Sequence, residues 1–96
     1  MDNTEALQVL TEAMEVFRRE PYRDLIKRID DDPLVVVERQ GAASVQYQLE
    51  ISFLWDGRPG GNVMVIGSID DGGLLTSFSP VTRSFIKAAD ESFVGE

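Results

Sequence analysis

From Val45 to Trp55 every second residue is apolar, six times without a miss. Val45, Tyr47, Leu49, Ile51, Phe53 and Trp55 fall on one side, against Ser44, Gln46, Gln48, Glu50 and Ser52 on the other. Period two with six large apolar residues specifies a long antiparallel strand, dry on one face and wet on the other. Leu54 alone breaks the polar side. Such a strand needs partner strands and a cover for its dry face, and the flanking sequence offers both.

The cover comes first in the chain. Ala6, Leu7, Leu10, Ala13, Met14 and Phe17 recur at helical spacing and predict a helix over residues 2–19, with Asp2 as N-cap and Glu5 completing a capping box. Pro21 breaks it and opens a second helix, whose stripe is Tyr22, Leu25, Ile26 and Ile29; Asp30-Asp31-Asp32-Pro33 ends that helix. Beyond Pro33 the period changes to two. Leu34–Arg39 reads as a strand, Gln40-Gly41-Ala42-Ala43 as a turn and Val63–Ile69 as a third strand. Asp70-Asp71-Gly72-Gly73 reads as a hairpin turn into a fourth strand, Leu74–Phe78. The C-terminal segment is balanced: Ser84-Phe85-Ile86 and Ser92-Phe93-Val94 suit two short strands closed at Ala88–Glu91, while alanines and acids suit a helix. The hairpin is favoured.

The expectation is an α+β domain: one or two N-terminal helices packed on one face of an antiparallel meander of four or more strands. It is one domain over 1–96, helical over 2–30, with the sheet over 34–79 and a hairpin or helix over 80–94.

Composition narrows the chemistry. There is no cysteine, hence no disulfide, thiolate nucleophile or cysteine metal site, and no histidine, hence neither the commonest general base nor the commonest transition-metal ligand. The formal net charge is −8, which opposes nucleic acid and anionic lipid and suits a basic partner. MDNTEALQVL lacks the basic and apolar regions of a secretory signal, and no apolar run approaches a membrane span. The expected location is therefore the cytoplasm, although a chain whose leader had been removed would read the same.

The remaining motifs are better explained by structure than by chemistry. Asp56-Gly57-Arg58-Pro59-Gly60-Gly61-Asn62 is glycine-rich, but it joins two strands and lacks the following helix that a phosphate loop requires. Its tip, with Arg58 beside Trp55, is a candidate binding tip. Ser84-Phe85-Ile86-Lys87 matches S-x-x-K without the accompanying motifs. Asp30, Asp31 and Asp32 lack calcium-loop spacing, and Glu38 and Glu50 would act as an acid–base pair only if one were buried. Arg19, Arg23 and Lys27 would line one face of a continuous helix. Gln46, Gln48 and Glu50 form a polar platform for a partner, which with Trp55 and Arg58 completes the candidate binding set. No catalytic residue, metal ligand or cofactor is assigned.

Two functional expectations follow. The first is a non-catalytic protein–protein interaction module, an adaptor, chaperone or inhibitor-like protein, working through its open sheet face or an edge strand; homodimerisation through that edge fits the same features. In size, acidity and helix-then-meander order the chain is similar to small acidic secretion chaperones, a likeness of composition and not of motif. The second is a small ligand-binding protein or carboxylate-dependent enzyme with a shallow pocket between helix and sheet.

Overall fold

A computed structural model describes residues 3–70 and 81–96. Two helices, α1 (Asn3–Arg18) and α2 (Tyr22–Asp31), precede four strands: β1 (Leu34–Gln40), β2 (Gln46–Asp56), β3 (Asn62–Asp70) and β4 (Val81–Lys87). The strands form one antiparallel sheet in the order β1-β2-β3-β4. Both helices lie on the same side, α1 over β3 and β4 and α2 over β2 and β3. The α+β expectation holds.

The predicted stripes do the packing. Ala6, Leu10, Ala13, Met14 and Phe17 of α1 are buried, as is Leu25 of α2, with Tyr22, Ile26 and Ile29 packed at the margin. They meet Tyr47, Leu49, Ile51 and Phe53 of β2, Val63, Val65 and Ile69 of β3, and Phe85 of β4. Pro21 stands just before α2 as its N-cap residue, where its fixed φ of −67° is compatible with extended backbone. Its carbonyl accepts from the N–H groups of Asp24 and Leu25.

The N-terminal end of α1 is tied to the first hairpin. Glu5 accepts from the Tyr47 hydroxyl (2.7 Å) and from the Ala42 N–H (3.1 Å), so one carboxylate joins a helix, a strand and a turn. The expected N-cap, Asp2, lies outside the described residues. The DGRPGGN stretch is a hairpin connection: β2 and β3 pair as far as Asp56 opposite Asn62, and Gly57 and Gly60 take φ of 91° and 85°.

One sequence expectation is displaced, and the favoured reading of the C-terminal segment is met. The place beside β3 belongs to Val81–Lys87; the strand expected at Leu74–Phe78 and the turn at Asp70–Gly73 fall largely on 71–80, outside the described residues. The C-terminal segment is a hairpin and not a helix. Lys87 bridges Phe93, and the Val94 N–H donates to the Ile86 carbonyl at 2.8 Å. Asp90 anchors the turn by accepting from the Ser92 N–H and hydroxyl, and Glu91 takes the left-handed φ of 74°.

Gly67 sets how closely α1 approaches the sheet. It is buried mid-strand, and a Cβ there would stand 2.6 Å from Met14 Sδ and 2.9 Å from Leu10 Cδ1. Gly67→Val is expected to cost about 2 kcal/mol, because both displaced side chains sit in the filled core. Urea unfolding should show a lower midpoint at an unchanged slope; an unchanged midpoint would mean that α1 can ride further out.

Candidate functional site

The register leaves one face of the sheet without a cover from the helices. Pairing puts Leu34, Ser52, Ile66 and Ser84 in one row across the four strands, and Leu54, Met64 and Ile86 in the next. On the other side of the first row run Val36, Glu50, Ser68 and Thr82. Leu54, Leu34 and Val36 are 38%, 49% and 51% exposed, and Val94 beside Ile86 is 42% exposed. Met64, Ile66 and Ile86 are half-buried. This is an apolar band on a face that the helices do not touch.

The sequence-predicted site residues divide. Gln46, Gln48 and Glu50 stand together, exposed, on this open face, opposite Gln40, Glu38 and Val36 of β1. Trp55 has the opposite parity: it is half-buried on the helix side and packs at the core margin. Arg58 is exposed on the β2–β3 turn. Thus three of the five share a surface, and the Trp55–Arg58 pair does not join them. The residues that sequence reasoning missed are Met64, Ile66 and Ile86. β3 is apolar on both faces, so alternation could not reveal its outer side; Leu54 was the one visible sign.

Candidate catalytic groupings are not assembled. Glu38 and Glu50 are both exposed. In a strand, Ser84 and Lys87 point to opposite faces, Ser84 exposed and Lys87 buried, so S-x-x-K makes no dyad. Among the described residues no three acidic side chains converge as a metal site requires. No helix of those residues is long and apolar enough to cross a membrane.

Three basic residues, Arg18, Arg28 and Lys87, hold the fold together. The helix break separates Arg19 from Arg23 and Lys27, so no continuous stripe forms. Arg28 donates to both Glu20 oxygens at 2.8 and 2.9 Å and stacks beside Phe17 and Phe53; the Glu20 hydrogen bond raises its pKa. Arg18 grips both Glu96 oxygens at 2.9 and 2.7 Å and lies 3.9 Å over the Phe93 ring, which fastens the C-terminal hairpin to α1. A groove of about 390 Å³ runs beside this clamp, lined by Met14, Glu15, Arg18, Arg83, Phe85 and Glu96, with Arg18 already engaged by Glu15 and Glu96.

Buried Lys87 has a structural task. Its Nζ donates to the carbonyls of Arg18 (3.0 Å) and Glu20 (2.8 Å), capping the end of α1 where the helix dipole favours a cation.

Comparison with protein-family models, curated proteins and solved structures finds no match to this chain.

Two outcomes follow from these contacts. Lys87→Met keeps the bulk and removes the ammonium, leaving two carbonyls without their donor; thermal or urea unfolding should show a loss of roughly 1–3 kcal/mol. In the C-terminal hairpin, hydrogen bonds from Ser92 hold Asp90 below its ordinary 3.8, and the Arg18 hydrogen bond holds Glu96 below 4.5. Carboxylates with lowered folded values stabilise above their unfolded values and lose that contribution as pH falls through the folded ones. Amide protection factors at Ser92 and Val94, taken against the intrinsic exchange rate at each pH, should therefore fall selectively below about pH 4, ahead of those of the β2 and β3 amides. A uniform loss of protection across the sheet would mean that the clamp is not the acid-sensitive element.

Proposed function

We propose that this chain is a non-catalytic protein-interaction module that docks a partner protein on the open face of its sheet. The observation carrying this is an apolar band, exposed at Leu34 and Leu54 and half-buried at Met64, Ile66 and Ile86, on a face opposite both helices. Apolar side chains gathered across four strands favour removal from water, and the helices already spend their stripes on the other face. The absence of histidine and cysteine from the sequence, together with the exposed state of Glu38 and Glu50, weighs against the ligand-binding or enzymatic alternative.

A second reading has its own support. β1 carries Leu34 and Val36 outward and is an edge strand among the described residues, so its outer backbone edge suits pairing with a second copy.

Affinity capture from native lysate separates the two. A protein captured by the wild type should be lost when Leu54→Ser is combined with Met64→Ser, while circular dichroism and unfolding stay unchanged. Capture that survives those changes but is lost in Val36→Lys would move the surface to the β1 edge and overturn the face reading.

A further inference from the structure

Among the described strand residues, every charged one with the parity of the open face is acidic. Asp56 lies beyond the apolar band at the β2–β3 turn end, while Glu50, Glu38 and Asp70 lie on its other side. The three basic residues of the strands, Arg39, Arg83 and Lys87, all have the parity of the helix-covered face. Resting on the interaction reading above, we propose that the partner presents a basic amphipathic helix to this face, apolar along one side and carrying lysine or arginine on its flanks.

Three considerations select that occupant. A second copy stacked face to face would bring Asp56, Glu50 and Glu38 of both copies to the rim of the band, and no basic strand residue has the parity of that face. A nucleic-acid backbone or an acidic peptide meets the same repulsion. The face also offers side chains and no free backbone groups, because its inner strands are already paired on both edges. An extended segment laid there would leave its own N–H and C=O groups unanswered, whereas a helix satisfies them internally. Finally, four strands about 4.8 Å apart make a band roughly 15 Å across, the length of about ten helical residues. Anchors at i, i+3 or i+4 and i+7 would rest on Leu54, Met64 and Ile86, with flanking cations reaching Asp56 on one side and Glu50 on the other.

The probe is a synthetic helical peptide of about fourteen residues made of leucine and lysine in amphipathic order. Its controls are the same peptide with glutamate for lysine, and a scrambled leucine–lysine isomer lacking helical period. Fluorescence anisotropy should show binding of the first alone, weakened by salt. Leu54→Ser and Met64→Ser should each weaken it by about tenfold or more, and Glu50→Gln by a few-fold, while Glu12→Gln on the exposed side of α1 leaves it unchanged. Amide shifts should concentrate at Leu54, Met64, Ile66 and Ile86. Equal binding of the glutamate or scrambled peptide, or indifference to the Leu54 and Met64 substitutions, would overturn the proposal. So would a concentration-dependent dimer abolished by those same substitutions. If the proposal fails while lysate capture still depends on Leu54 and Met64, only the partner chemistry is wrong; if capture is also indifferent to them, the face reading falls too.

Discussion

The strand register is the constraint on which everything else rests. Cross-strand partners number 34 with 52, 48 with 70 and 63 with 87, so odd-numbered residues share one face of all four strands and even-numbered residues the other. A slip of one residue in any pair would send its apolar set to the wrong side. With the register kept, Tyr47, Leu49, Ile51, Phe53, Val63, Val65, Ile69 and Phe85 present a single surface to the helices, and Gly67 lets α1 settle onto it. The same phase places Lys87 beneath the end of α1, where it replaces the missing helical donors.

Polar contacts then lock that arrangement at its corners. Glu5 ties the start of α1 to the β1–β2 hairpin, Arg28 and Glu20 brace the α1–α2 junction, and Arg18 with Glu96 binds the C-terminal hairpin to α1. The first and last join segments distant in sequence, the second braces consecutive elements, and each lies on the helix side. The even face receives none of these basic residues, which is why its charge is uniformly negative while its centre is apolar.

Much of this was visible in the sequence, for physical reasons that differ by element. β2 was legible because its two faces differ in polarity at every step but Leu54, and α1 because its buried positions repeat at 3.6 residues. β3 was legible as a strand but not as a surface: Met64 and Ile66 are as apolar as Val63 and Val65, so no pattern says which pair faces out. The C-terminal hairpin was ambiguous because Ala88, Ala89, Asp90 and Glu91 favour helix locally; the turn is held by pairing of Phe93 with Lys87 and of Val94 with Ile86, and by the distant grip of Arg18 on Glu96. Trp55 and Arg58 looked adjacent because they are close in sequence, yet strand parity and the turn separate them. Lys87 could not be foreseen, since its partners are backbone carbonyls some seventy residues away.

The most direct measurement is hydroxyl-radical footprinting of the protein in its native lysate and after purification. Met64 reports on the open face and Met14, buried under α1, serves as the internal control. Docking on the open face requires Met64, Leu54 and Ile86 to be protected in the lysate and reactive in the purified protein, with Met14 protected in both. Equal reactivity of Met64 in the two settings would contradict it.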